Sequence, residues 1–199
     1  MLTIGICGAS GSGKSTLAQE LQKRMNGKVV LLTQDCYYRD HSHLPFDERK
    51  RINYDEPDVF EHDSLLADVT ALQEGRPITA KGYDFPNHCR ADSGEPIFPG
   101  DVLIVEGIHV FYDPRLREKM DLKLYMNVDP DICLLRRVQR DINERGRDID
   151  GVAQQYLDTV RPMYNRHIRG YVEYADLIIA GGGKNQMIVD ILASYLDKR

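Results

Sequence analysis

The chain has 199 residues, 42% hydrophobic and 29% charged, with a net charge of −5 at pH 7, which suits one domain, 1–199, with a sizeable core. That acidic balance argues against a general binder of nucleic acid or anionic membrane, so any anion site must be local; no apolar run approaches the roughly 20 residues that span a bilayer. Cys7, Cys36, Cys89 and Cys133 are scattered without zinc-type spacing, so free thiols and a cytoplasmic protein are expected.

Leu2 to Cys7, short, apolar and rich in β-branched residues, reads as a buried strand. Gly8, Ala9, Ser10, Gly11, Ser12, Gly13, Lys14 and Ser15 follow, a full match to G-x-x-x-x-G-K-[ST], with Thr16 next. A chance match in a chain this long has a probability of about one percent. The glycines let the backbone curl so that successive N–H groups point at one phosphate. Lys14 brings a charge to the β- and γ-phosphates, and the Ser15 hydroxyl ligates Mg²⁺. Leu17, Ala18, Leu21 and Met25 then recur at helical spacing. Strand, glycine loop and helix thus stand in the order that a nucleoside triphosphate site requires.

Val29 to Leu32 is a second apolar strand with Gln34-Asp35 at its carboxyl end, and His41 to Asp55 is polar and turn-prone. Glu61 to Glu74 is helical through Leu65, Leu66, Val69 and Leu72, and Gly75-Arg76-Pro77 stops it. Pro77 to Arg90 reads as an irregular hairpin. Val102 to Val105, ended by Glu106-Gly107, Leu122 to Val128 and Leu177 to Ile179 are further strands. Helices are expected from about Asp131, from about Val152 and through Ile188, Ile191 and Leu192. Apolar strands alternating with helices predict an α/β fold, a parallel sheet covered on both faces.

Ligands of such sheets sit beyond the carboxyl ends of the strands, where Asp35 and Glu106 both fall. A carboxylate there binds Mg²⁺, directly or through water, or accepts the proton of an attacking hydroxyl; the plain alternative is an acid capping a turn. Arg136, Arg137 and Arg140 lie on the charged helix, with Arg145, Gly146 and Arg147 beyond its end. A solvated, salt-bridged face suffices for Arg136, whereas Arg140, Arg145 and Arg147 could form a lid over the triphosphate. In Tyr83 to Arg90, Tyr83 or Phe85 could stack on a base and His88 could bond its edge, although such runs are more often surface packing.

Taken together, the chain resembles the uridine kinases, also called uridine-cytidine kinases, over nearly its whole length. The motifs carrying the resemblance are Gly8 to Thr16, Gln34-Asp35-Cys36-Tyr37-Tyr38, Asn53 to Asp58, Tyr83-Asp84-Phe85 with His88 and Arg90, Glu106-Gly107-Ile108, and Arg136 to Asp148. The resemblance implies a P-loop NTPase-type sheet with a nucleoside-binding insertion at about 36–95 and an arginine-rich lid at about 136–155. It implies transfer of the γ-phosphoryl group of ATP or GTP, with Mg²⁺, to the 5′-hydroxyl of uridine or cytidine. Asp35 would stand beside that hydroxyl, with Lys14, Arg140 and Arg145 as the catalytic cations and Ser15, Asp35 and Glu106 around the metal. Asp55 and Arg137 would hold the ribose, Tyr38, Tyr83 and His88 would line the base pocket, and Arg147 and Gln155 would complete it. A homotetramer with feedback inhibition by pyrimidine triphosphates is implied as well.

The chain departs from the family pattern at Ala180-Gly181-Gly182-Gly183, where Pro-Arg-Gly is usual, and a cation near the donor base is therefore missing. Ala80-Lys81-Gly82 lacks the habitual proline, and His167 to Glu173 is unfamiliar. A phosphoribulokinase or pantothenate kinase relative would share the loop but not the Tyr83 to His88 constellation. A nucleotide switch would need an N-K-x-D segment, which is absent. Intact Lys14, Ser15, Asp35 and Glu106 count against a non-catalytic sensor.

Overall fold

The computed structural model describes residues 1–25 and 27–197. Its strands and helices are, in chain order, β1 (Leu2–Gly8), α1 (Lys14–Arg24), β2 (Val29–Thr33), α2 (Phe46–Arg49), α3 (His62–Gln73), β3 (Ile78–Thr79), β4 (Tyr83–Asp84), β5 (Cys89–Arg90), β6 (Pro96–Ile97), β7 (Val102–Glu106), α4 (Pro114–Arg117), β8 (Leu122–Asn127), α5 (Pro130–Arg145), α6 (Ile149–Gln155), α7 (Arg161–Arg166), β9 (Leu177–Ala180) and α8 (Gln186–Leu196).

Five strands form one parallel sheet in the order β2-β7-β1-β8-β9, with β1 at its centre. Successive side chains of a strand point to opposite faces, which explains why these strands are mainly apolar, with Thr3 of β1 and Lys123 of β8 as exceptions within them. Ile4, Ile6 and Ile104 pack with Leu17 and Leu21 of α1 and Leu192 of α8. Cys7, Leu103 and Val105 face the other way, toward Leu65, Val69 and Leu72 of α3 and toward Phe111. All four cysteines are free thiols. No helix among the described residues is long and apolar enough to cross a membrane.

Two segments differ from the sequence reading. The hairpin expected over Pro77 to Arg90 is two ladders of two residues each, β4 with β5 and β3 with β6, so it extends to Ile97. Pairings this short carry no periodicity for a sequence to display. The helix expected from about Val152 begins at Ile149, where Asp148 caps it by accepting from the Gly151 N–H at 2.7 Å. It then runs through a π-turn at Tyr156–Val160 into α7, and a 3₁₀ segment follows at Ile168–Tyr174.

Candidate active site

At the carboxyl end of β1 the chain reverses into α1 through Gly11 (φ 82°) and Gly13 (φ 96°), a left-handed backbone that side chains strongly disfavour. The turn points the first N–H groups of α1 into an open cavity lined by Gly11, Gly13, Lys14, Ser15, Thr16, Asp35 and Glu106 among others. Lys14 Nζ donates to the Ala9 carbonyl at 2.9 Å, and Ser15 Oγ donates to Glu106 Oε1 at 2.8 Å. Burial raises the pKa of Glu106 and the Asp35 charge adds to it, against the opposing pull of Lys14 and Ser15. A hydroxyl and a buried carboxylate in contact, with a second carboxylate on the same cavity wall, make a hard-oxygen set that suits Mg²⁺.

The turn after β9 closes against this loop. A Cβ on Gly183 would collide with the Gly13 carbonyl and the start of α1, and one on Gly182 would meet the Arg136 guanidinium. Residues 180–183 supply no cation, but Arg136 and Lys184 both line the same cavity.

A second, smaller cavity adjoins the first and shares Ser10, Asp35, Ile108 and Arg140 with it. Its remaining lining is Tyr38, Tyr54, Asp55, Tyr83, Phe85, His88, Arg137, Arg145, Arg147 and Gln155. Tyr38 packs face to face on Phe60 with ring centroids 4.5 Å apart and stands 4.9 Å from Tyr83, while His88 stacks on Tyr54 at 5.0 Å. His88 is the one non-glycine residue with positive φ (51°) among the described residues, a strained conformation of the kind that gathers at functional sites. Burial, reinforced by Arg147 and Arg49, pushes its pKa down to about 4 and keeps the ring neutral at physiological pH.

Asp55 is buried, with Oδ1 3.7 Å from Arg137 Nη1 and Oδ2 3.0 Å from Thr159 Oγ1. Thr159 reaches it from the π-turn, a helix irregularity often found at functional sites. Arg137 also donates to Ser10 Oγ (2.9 Å) and to Gln155 Oε1 (3.0 Å), and Arg147 bonds Gln155 as well. Four guanidinium groups converge on the buried Asp141: Arg140 at 2.8 Å, Arg147 at 3.4 Å, Arg137 at 3.5 Å and Arg145 at 3.6 Å. Burial pushes the Asp141 carboxyl up, and Arg140, Arg137 and Arg145 outweigh it, leaving the group below the usual carboxylate range. The Arg145 guanidinium lies 3.9 Å over the Phe85 ring, so the end of α5 touches the β4–β5 hairpin.

The sequence profile of the phosphoribulokinase/uridine kinase family matches residues 3–188. The chain belongs to that family. It is 44% identical over 196 residues to a uridine kinase of Bacillus velezensis, covering 98% of this chain and 93% of that protein. It is 45% identical over 196 residues to one from Leuconostoc citreum, covering 97% and 93%. Among solved structures, a phosphoribulokinase from Rhodobacter spheroides superposes with a TM-score of 0.61 at 16% identity, over 94% of this chain and 74% of that one, a likeness of fold alone.

Within this family member, every residue that the sequence nominated for the nucleoside lines the smaller cavity: Tyr38, Asp55, Tyr83, His88, Arg137, Arg147 and Gln155. Of the nominated donor residues, Gly8, Ala9 and Ser12 do not line the larger cavity, Ser12 being fully buried. Arg145, nominated for the phosphoryl group, lines the smaller cavity against Phe85 and not the larger one. Asp141, expected from the sequence with Glu144 and Asp148 to relieve the repulsion among the arginines, does so against four of them. Tyr54 and Thr159 were not nominated; Tyr54 lay inside a quoted motif, and Thr159 carries no local signal.

Proposed function

We propose that the chain phosphorylates uridine and cytidine at the 5′-hydroxyl, using ATP or GTP with Mg²⁺ and giving UMP or CMP. Family membership and full-length similarity to uridine kinases support the reaction class. The observation that supports the reading most is that Asp35 lines both cavities, where it would stand between a triphosphate in the larger and an acceptor in the smaller. In this reading the Asp35 carboxylate takes the 5′-hydroxyl proton as the oxygen attacks. Lys14 and Arg140 stabilise charge on the transferring phosphoryl group, and Arg145 seals the acceptor side against water. Ser15, Glu106 and Asp35 would hold Mg²⁺, which neutralises phosphate charge when bound.

Asp55 and Arg137 bind the ribose diol, and deleting the 2′-hydroxyl would leave a buried carboxylate short of a partner. His88 remains neutral, so one tautomer donates to the O4 of uracil and the other accepts from the amino group of cytosine. The aromatic walls formed by Tyr38, Tyr54, Tyr83 and Phe85 limit the base to pyrimidine size. A cytoplasmic homotetramer with feedback inhibition by pyrimidine triphosphates belongs to the same reading. ADP release from Mg-ATP across a nucleoside panel tests it: uridine and cytidine raise turnover far above the rate without acceptor, and equal rates with and without them refute it.

A further inference from the structure

Ile108 lines both cavities, but the next residue turns away from them: His109 is fully buried and lines neither. Its Nε2 lies 2.7 Å from the Asp55 carbonyl oxygen and its Nδ1 2.9 Å from the Tyr171 hydroxyl. A carbonyl oxygen only accepts, so the proton sits on Nε2 and Tyr171 donates to the bare Nδ1. Burial pushes the pKa of this imidazole down to about 3, with only the Asp55 carbonyl pulling strongly upward, so the neutral tautomer persists across the physiological range. The His109 backbone N–H donates to Gln34 Oε1 at 2.8 Å, and Gln34 immediately precedes Asp35. Gly107 packs so closely on the Gln34 side chain that a Cβ there would overlap it.

Asp55 sits outside any regular helix or strand, so its position depends on individual bonds. Its N–H donates to Asn53 Oδ1 at 3.1 Å, its carboxylate meets Thr159 and Arg137, and its carbonyl is the group that His109 holds. A buried polar group in a core is costly unless its bonds are made, and an apolar side chain would have filled the same space without that cost.

We propose that His109 is a positioning residue for the acceptor: its Nε2–H fixes the Asp55 main chain, and its backbone N–H fixes Gln34, so that the ribose-facing carboxylate and Asp35 keep one spacing. The proposal rests on the reading that Asp55 binds the ribose. It makes discrimination between ribose and 2′-deoxyribose depend on a side chain that touches neither substrate.

Steady-state kinetics with uridine and 2′-deoxyuridine test this on wild type, His109→Leu, His109→Gln and Tyr171→Phe. In His109→Leu, uridine KM rises about tenfold and the preference for uridine over 2′-deoxyuridine in kcat/KM falls by a similar factor, while donor KM moves less than about twofold. His109→Gln, which offers an N–H at comparable reach, recovers most of both. Tyr171→Phe keeps the packing but removes the hydroxyl that donates to Nδ1 and so helps to hold the ring in its orientation toward the Asp55 carbonyl, and loses about threefold of the preference. Unchanged preference in His109→Leu overturns the proposal, as does an equal rise of donor and uridine KM, the mark of a general structural defect. Should His109→Leu not fold, an unchanged preference in Tyr171→Phe overturns it instead. A wild type inert toward uridine refutes the functional reading itself, a result distinct from an active wild type with indifferent variants.

Discussion

Asp141→Asn isolates the charge on which the arginines converge. The substitution keeps the side-chain shape and removes one negative charge from a fully buried position ringed by four guanidinium groups at 2.8–3.6 Å. At an effective dielectric of about 20, one pair at 3.5 Å is worth roughly 5 kcal/mol before desolvation. Removing one partner of a buried pair costs about 3–5 kcal/mol. Arg140 and Arg147 keep part of their side chains in solvent, so the lower end, about 3 kcal/mol, applies. At about 2–4 °C per kcal/mol for a chain of this size, Tm falls by about 6–12 °C in thermal unfolding followed by circular dichroism. A triphosphate in the larger cavity returns negative charge beside Arg140, the one of the four that lines it, so ATP should raise the Tm of the variant more than that of wild type. A Tm within about 1 °C of wild type, with equal stabilisation by ATP, would refute the assignment of Asp141 as their counter-charge.

Other outcomes follow from single groups. Asp35→Asn loses about three orders of magnitude in kcat with donor affinity intact, as judged by fluorescent-nucleotide titration; an unchanged kcat reassigns the base. Loss of the ring in His88→Ala raises nucleoside KM by about tenfold while ADP release without acceptor persists, and equal loss of both activities would make the residue structural. Gly183→Ala pushes a methyl group into the Gly13 carbonyl and raises donor KM with nucleoside KM unmoved; unaltered donor kinetics would mean that the turn is free to shift. Acid should destabilise the fold, because His109 titrates near 3 when folded and near 6.5 when unfolded. Between those values the unfolded chain binds the extra proton, so stability falls as pH drops, by on the order of 3 kcal/mol from pH 7 to pH 4, with half-buried His88 adding less. Urea midpoints that stay level over this range would contradict the buried neutral ring.

What the sequence disclosed was local chemistry. Gly8 to Thr16, Asp35 and Glu106 were legible because a strand end, a glycine turn and a helix start lie within one short stretch, or because an acid directly follows an apolar run. The sheet was legible for a related reason: strands covered on both faces are built mainly from apolar residues. Thr159 was not legible, because its approach to Asp55 depends on the π-turn at Tyr156–Val160, and such an irregularity leaves no periodic trace. The stacking of His88 on Tyr54 and the hold of His109 on Asp55 join residues 34 and 54 positions apart, a proximity that only the assembled fold creates. Arg145 was readable as a cation but not as the group that closes over Phe85.

The charge distribution joins the composition to the site. Seven cationic side chains line the two cavities, Lys14, Arg136, Arg137, Arg140, Arg145, Arg147 and Lys184, against four carboxylates, Asp35, Asp55, Glu106 and Glu144. The chain as a whole carries −5, so the surface outside this cleft is more acidic than the total suggests. A positive cleft in an acidic protein focuses the field on one entrance, steering a triphosphate there while repelling polyanions elsewhere. Asp141 holds the arginines together before any ligand arrives, and the neutral His88 adds no further charge to the smaller cavity. Lys14, Arg136, Arg140 and Lys184 line the larger cavity without a full set of counter-charges, whereas Arg137, Arg145 and Arg147 line only the smaller one, where Asp55 and Asp141 offset them. Ionic strength should accordingly act on donor KM far more than on nucleoside KM, since an uncharged nucleoside feels no such field.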